Sequence, residues 1–346
     1  MKHFTAEYLN DYCQKVMIAK GVDPACAKAV SEVLVDADLT GMSTHGVSRL
    51  SIYMERMDKG LVAKGNEIKV LEEGPSALAI DAGNTFGAMV TDYAMERCIA
   101  KAKETGACFA TVKNSNHFGA AAYYAKKATS QGMIAFICAN LTPKIAPFGS
   151  SEPYMGTDPV CIAIPSAGDP IILDMALSVV ALGKLILAQK LGKDIPLGWA
   201  LDKDGKPTTD PAAGRAGSLL PIGGAKGSGI ALMVEVLSGI LSGAGTAPHL
   251  HDLYSFDAPQ GVGHFLGVLD VSHFIDAEEF CRGVSAMAAE VKSLKKAEGF
   301  DEILMPGERE IKIAKERSTT GIELPDEVCA ELIALGKPFG MELKEA

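Results

Sequence analysis

The stretch Ala107–Asn140, ACFATVKNSNHFGAAAYYAKKATSQGMIAFICAN, decides the fold class. Ala107–Lys113 and Met133–Asn140 are short apolar runs, and between them Phe118–Ser130 reads as a helix stopped by Gly132. Runs that stay apolar instead of alternating mark strands covered on both faces, and such strands need helices on either side of their sheet. The same alternation extends outward. Before the stretch come a strand at Ser76–Asp81 and a helix at Ala88–Lys103 ended by Gly106. After it, Val160–Pro165, Ile171–Asp174 and Phe265–Asp270 read as strands, and Met175–Leu191, Ser228–Leu241 and Ala277–Lys296 as helices. The pattern predicts an α/β core whose sheet is flanked by helices. Lys193–Leu220, rich in Gly, Pro, Asp and Thr, reads as an exposed excursion.

The first sixty residues are helical in pattern. Tyr8–Lys20 closes at Gly21, and a second helix starts at Pro24, a favoured first-turn position. A third runs from about His45 to Lys59 with Val47, Leu50, Met54 and Met57 on one stripe. A last helix lies near Pro325–Leu335, beyond a Pro/Gly-containing segment around Pro306. Two units are expected: residues 1–72 packing with 297–346, and an α/β domain over 73–296.

With 346 residues, 48% of them hydrophobic and 22% charged, the chain has ample material for a core. Its formal net charge of −10 disfavours nucleic acid and anionic membrane as partners, so an anionic substrate must be drawn in by local basic groups. The eight cysteines include no C-x-x-C pair and sit mostly in apolar runs, as reduced core residues do. Met1–Asp11 has no apolar signal-peptide core, and Ile230–Ala244, interrupted by Glu235, is too short to span a bilayer. The reading is a cytoplasmic protein.

Three stretches carry candidate chemistry. In Ser43-Thr44-His45-Gly46-Val47-Ser48-Arg49, a continuous helix would place His45 and Arg49 one turn apart, with Ile52 and Arg56 and away from Val47, Leu50 and Met54. Such a face is either solvated or functional: Arg49 could grip a carboxylate while His45 exchanges a proton with the neighbouring oxygen, and a 2-hydroxy acid places those groups one bond apart. In Lys113-Asn114-Ser115-Asn116-His117-Phe118-Gly119, the histidine falls where a strand ends and a helix begins, the crevice in which α/β sheets bind ligands. In the first helical turn it would feel the positive end of the dipole and stay neutral; otherwise Ser115 or Asn116 is an N-cap that His117 merely follows. Gly223-Gly224-Ala225-Lys226-Gly227-Ser228-Gly229 could bring backbone amides and a cation to a phosphate, though it is not a P-loop. No G-x-G-x-x-G follows a strand; Gly261-Val262-Gly263 comes closest and sits before one. His249, His251, Asp252 and His264 have metal-ligand side chains but no ligand spacing, so no metal is assigned.

These segments resemble the malate/L-lactate dehydrogenase family, which is unrelated to the Rossmann lactate dehydrogenases and includes ureidoglycolate, sulfolactate, diketogulonate and cyclic imino acid oxidoreductases. The matching stretches are Ser43–Arg49, Asn114–Gly119, Pro147-Phe148-Gly149, Gly156-Thr157-Asp158-Pro159, Asp174-Met175-Ala176, Lys226-Gly227, Glu235-Val236-Leu237-Ser238-Gly239 and Pro306-Gly307-Glu308, in the family's order. The resemblance implies a non-Rossmann nicotinamide-binding α/β fold, with a mixed sheet flanked by helices and a helical layer from both termini. It also implies a homodimer with its site near the subunit contact, and NAD or NADP as cofactor. By position, His45 and His117 match the family's proton-transferring histidines, and Ser43 and Arg49 its substrate contacts. Asp174, Met175, Ala176, Lys226, Gly227, Gly307 and Glu308 match its cofactor contacts.

The chain departs from the pattern at four positions. Leu177 stands where the family tends to have Thr, Leu141 replaces a hydroxyl residue, and Ala225 and Ser228 replace the two aromatic residues around the lysine. The expected function is hydride transfer between nicotinamide and a small 2-hydroxy or 2-oxo acid. The rivals are a cyclic imino acid reductase, a metal-dependent hydrolase using the His249–His264 region, and a binding scaffold without activity.

Overall fold

The computed structural model describes residues 2–65 and 67–345. The chain opens with a short strand, β1 (Lys2–Phe4), and helices α1 (Ala6–Ala19), α2 (Pro24–Leu39) and α3 (Leu50–Asp58). Their ends follow local chemistry. Thr5 caps α1 through its hydroxyl, and Asp23 caps α2, whose first residue is Pro24. The expected third helix is broken. Ser43–His45 and Val47–Arg49 are separate 3-10 turns on either side of Gly46, whose ψ of −160° is extended. A Cβ at Gly46 would lie 2.1–2.2 Å from the carboxylate atoms of Asp38, which accepts the Val47 N–H at 2.7 Å. The buried carboxylate at the end of α2 pulls the backbone inward there, and helical propensity loses.

The α/β part continues with β2 (Lys69–Glu73), β3 (Ala77–Asp81), α4 (Gly87–Thr105), β4 (Ala107–Ser115), α5 (Ala121–Thr129), β5 (Met133–Ala139), β6 (Val160–Ile164), β7 (Ile171–Met175) and α6 (Leu182–Lys190). The excursion holds β8 (Ala200–Leu201), β9 (Pro207–Thr208), α7 (Pro211–Ala216) and β10 (Ser218–Leu219). Then come α8 (Ala225–Val234), β11 (Val262–Asp270), α9 (Ala277–Ser293), α10 (Glu308–Thr320), β12 (Ile322–Leu324) and α11 (Asp326–Gly336). Two long readings are shortened. Met175 ends β7 and α6 begins only at Leu182, while the reading over Ser228–Leu241 is α8 followed by a π-helical turn at Glu235–Ile240.

Seven strands form one mixed sheet in the order β2-β3-β4-β11-β5-β6-β7, in which only β3 and β4 pair in parallel. Strand β11 lies between β4 and β5 and is antiparallel to both, so Val262 and Gly263 belong to a strand instead of preceding one. The ends of β3, β4 and β5 and the start of β11 therefore meet at one edge of the sheet. The apolar core runs without a gap from Phe4 and Leu9 through Ile80, Val112 and Leu266 to Leu332, and the termini close on each other through the β1–β12 pair. A second cluster joins Leu177, Leu185, Ile195, Leu219 and Val234 under the excursion. Each fully buried Leu, Ile or Val contributes roughly 1.5–3 kcal/mol over its exposed state. Among the described residues no helix is long and apolar enough to cross a membrane.

Candidate active site

The edge where β3, β4, β5 and β11 meet receives the two 3-10 turns from the N-terminal layer. The His45 and His117 rings stack there, 5.5 Å between centroids and 25° between planes. Seventy-two positions separate them in the chain, and the fold brings them face to face. His117 is not in a helical turn: it lies in the extended link between β4, ending at Ser115, and α5, starting at Ala121. No helix dipole therefore acts on His117 from its own turn, and neither Ser115 nor Asn116 caps α5, whose first turn gives the Ala122 N–H to Asp174 at 2.8 Å. The imidazole is kept neutral by other causes. Burial pushes the His117 pKa well below its ordinary value, and His45, Arg49 and His264 push it further. His45 is lowered to about 4, first by burial and then by Arg49.

Each site group is held by a neighbour. The Tyr53 hydroxyl, on α3, lies 2.6 Å from His117 Nδ1, and the Gly119 N–H reaches the same nitrogen at 3.4 Å. The His117 N–H donates to Gln260 Oε1 at 2.9 Å, tying the link to the segment before β11. Close approach by helix α4 fixes the other side, since a Cβ at Gly87 would lie 2.0 Å from the Asn116 carbonyl oxygen. Thr44 Oγ1 sits 3.0 Å from His45 Nδ1. Arg49 donates through Nε to the Thr44 carbonyl at 2.6 Å and through Nη1 to the Tyr254 hydroxyl. Both partners are neutral oxygens, so an incoming carboxylate meets a guanidinium that no carboxylate among the described residues already neutralises. Ser43 begins the first 3-10 turn, exposed, and its carbonyl accepts from Ser48 at 3.1 Å.

The face of α3 read as either solvated or functional is covered at Arg56. Arg56, read as sharing a side with His45 and Arg49, is 1% exposed beneath the segment 252–258. Tyr53, Tyr254 and Gln260 were not singled out from the sequence. Tyr53 carried one signal, its one-turn spacing from Arg49, whereas nothing local marks Gln260.

The candidate cofactor residues hang from the outer strand β7, whose last residue, Met175, pairs with Val160, itself paired with Cys138, and so lies at the same end of the sheet as the end of β5 and the start of β11. Asp174 and Met175 end β7, and the Asp174 carboxyl, raised by burial, serves the start of α5. The Ile172 N–H donates to the Pro306 carbonyl at 3.0 Å, so Gly307, at a φ of +81°, lies directly on β7. Glu308 is bound by Lys292 at 2.5 Å and Lys312 at 3.3 Å, and these cations and the Met305 N–H lower its pKa to about 2. The Ile222 N–H donates to Leu177 O at 2.8 Å, which brings the glycine run beside residues 174–177. Gly223 and Gly224 are consecutive left-handed residues, and no side chain caps α8 after them among the described residues. Lys226 is exposed in the first turn of α8, and a Cβ at Gly227 would lie 1.8 Å from the Ile222 carbonyl oxygen.

The departures have structural places. Leu177 is buried in the second core, and Leu141 packs on the main one. Ala225 is exposed, and the Ser228 hydroxyl accepts the Phe148 N–H at 2.9 Å. The four residues of the metal reading are dispersed. His264 is buried between Thr91 and Phe118, His251 pairs with Asp257, Asp252 binds Thr142 and Lys144, and His249 is exposed. Among the described residues no three His, Cys, Asp or Glu side chains converge to hold a metal.

The model of one protein family, described as malate/L-lactate dehydrogenase, matches residues 4–333. The malate dehydrogenase of Pyrococcus horikoshii is 39% identical over 342 residues, covering 96% of this chain and 94% of that protein. The solved sulfolactate dehydrogenase from Methanocaldococcus jannaschii superposes with a TM-score of 0.93 at 36% identity, covering 99% of this chain and 98% of that one. The delta1-piperideine-2-carboxylate reductase from Pseudomonas syringae superposes with a TM-score of 0.87 at 27% identity, covering 97% and 100%. Among further relatives, a ureidoglycolate dehydrogenase of Escherichia coli is named for NAD(+) and a sulfolactate dehydrogenase of Chromohalobacter salexigens for NADP(+).

Proposed function

This chain belongs to the malate/L-lactate dehydrogenase family, and we propose that His45 and His117 transfer the proton, while Arg49 and Ser43 hold the acid, in its reaction. The protein is an NAD(P)-dependent dehydrogenase that interconverts a small 2-hydroxy acid and the corresponding 2-oxo acid. The observation that carries the assignment is the stacked, neutral pair of imidazoles beside an arginine whose partners are uncharged. The nicotinamide, when bound, accepts or supplies the hydride. Everything else falls to side chains. In oxidation, a neutral imidazole takes the hydroxyl proton as the carbon becomes a carbonyl. In reduction, the same ring returns it, and the lowered pKa makes the protonated ring a ready donor. Arg49 fixes the carboxylate and so the orientation of the reacting carbon.

The residues fit a dinucleotide. Two left-handed glycines lead into an uncapped helix, so the first amides of α8 are available to a phosphate, and a Cβ at Gly223 would meet nothing within 4 Å. We assign Lys226 and Gly227 to that end, and Asp174, Met175, Ala176, Gly307 and Glu308 to the rest of the cofactor. A second copy would cover α8 and the π turn, where Met233 is 57% and Ile240 63% exposed; this supports a homodimer. Eight cysteines without a disulfide support a cytoplasmic location.

Titration of the protein with NADH and with NADPH, read by nicotinamide fluorescence, tests the class. It is followed by 2-oxo acids and a cyclic imino acid, read by loss of reduced-cofactor absorbance. Turnover of an oxo acid that collapses in His117→Gln supports the reading. Turnover of the cyclic imine alone shifts the chain to the chemistry named for the piperideine-2-carboxylate reductase, and no binding of either cofactor to folded protein sinks both.

A further inference from the structure

Helix α3 presents one side to the segment 252–258, and three cations along it each engage that segment. Arg49, just before the helix, donates to the Tyr254 hydroxyl with its guanidinium carbon 5.7 Å from the ring centre. Lys59, at its end, places Nζ 3.4 Å from the centre of the Phe256 ring. Arg56 between them is buried. Its Nη1 donates to the carbonyls of Leu253 at 3.1 Å, Asp252 at 3.4 Å and Ser255, and its Nη2 to Ala258 at 2.9 Å. These four carbonyls belong to seven residues with no strand or helix of their own, and among the described residues only Asp252 O has a backbone donor, the Ser255 N–H at 3.0 Å. A planar fork of N–H groups can serve several carbonyls at once, which an ammonium cannot do in the same geometry. Burying a cation is unfavourable unless its donors are satisfied, and the four acceptors converge on the two terminal nitrogens of Arg56, while its buried Nε has no partner among the described residues.

The strapped segment and the residues just after it make three contacts outside α3 itself. Tyr254 meets Arg49, Asp252 accepts from Thr142 at 3.2 Å and Lys144 at 3.1 Å, and Gln260 just beyond accepts the His117 N–H. We infer that Arg56 is a positioning residue for the reaction: it straps residues 252–258 onto α3 and thereby sets Tyr254 against the carboxylate-holding Arg49. The inference rests on the role given above to Arg49.

The test uses the whole chain with Arg56→Lys, Tyr254→Phe and the double substitution. Arg56→Lys raises KM for the 2-oxo acid about tenfold, while kcat and the Kd for reduced cofactor change about twofold or less. Because both changes act through Tyr254, the double variant stays within about twofold of the worse single one. Amide hydrogen exchange over residues 253–256 speeds up about tenfold in Arg56→Lys and stays slow in the parent protein. Folded Arg56→Lys with the parent KM, multiplicative effects, or unchanged exchange would each overturn the inference. Should Arg56→Lys not fold, the parent decides: slow exchange over 253–256 supports the strap, and exchange at free-peptide rates removes it. Arg49→Ala separates the two claims. An unchanged KM there defeats the role of Arg49, while the exchange result still judges Arg56.

Discussion

The acid–base cleft and the glycine run before α8 hold candidate residues of one reaction, yet they are built in opposite ways. In the cleft, neighbours engage the site groups: Tyr53 meets His117, Thr44 meets His45 and Arg49, and Gln260 holds the His117 backbone. At the glycine run the helix start is uncapped, Lys226 projects outward, and the following helix turns Met233 and Ile240 to solvent. The first region is organised by the chain itself before any ligand arrives, the arrangement that orients acid–base groups best. The second is left open at the surface, with apolar side chains exposed beside it. Substitutions should therefore damage chemistry in one place and binding in the other.

The largest effect is expected from His117→Gln, which should lower kcat between about a hundredfold and ten-thousandfold, measured at saturating substrate and cofactor. A loss confined to KM would break the contrast. Arg49→Ala comes next, with KM for the acid rising roughly ten- to a hundredfold as a charge-assisted contact of about 1.5–3 kcal/mol is lost. Unchanged kinetics would remove Arg49 from the site. Gly46→Ala forces a methyl group into the Asp38 carboxylate and should cost about 1–3 kcal/mol in thermal or denaturant unfolding. Parent stability would show that the break between the 3-10 turns is not imposed from Asp38. At the glycine run, Lys226→Ala should weaken reduced-cofactor binding only a few-fold, as befits one exposed cation near a helix start, with kcat preserved. A collapse of kcat instead would place Lys226 among the reacting groups.

The pH profile sharpens the cleft's side by the absence of a change. With folded pKa values below the ordinary imidazole value near 6.5, His45 and His117 stay neutral bases as pH falls and are lost only as it drops through the depressed values, about 4 for His45. Oxidative kcat/KM should thus show no acid limb near pH 6.5. A limb there would report a solvated ring.

How much of this was legible depended on whether the physical cause was local. Strands such as Met133–Ala139 announced themselves because both their faces are covered, and α2 because Asp23 and Pro24 mark its start. Helix α10 escaped notice because Ile311, Ile313 and Ala314 are the apolar side chains among its thirteen residues, too few for a stripe. Strand β2, Lys69–Glu73, is a charged and largely exposed edge, and β1 and β12 exist only through each other across the length of the chain. The histidines and Arg49 could be nominated from type and setting, but the wheel that joined His45 to Arg49 assumed a helix that Asp38 breaks. The stacking of His45 on His117, like the partnership of Gln260, comes from tertiary structure alone.

Strand β11 carries a consequence for how the molecule is made. It fills the middle of the sheet, yet its first residue emerges more than a hundred positions after β5 ends. Until then β4 and β5 each lack the neighbour that lies between them, leaving two apolar edges without partners on a growing chain. Closing so long a loop costs conformational entropy before the strand pairing can repay it. Gln260 arrives with the same segment, so the backbone of His117 gains the partner that holds it only late in synthesis. A nascent chain stalled before residue 262 thus exposes those two edges to misassociation and to chaperones.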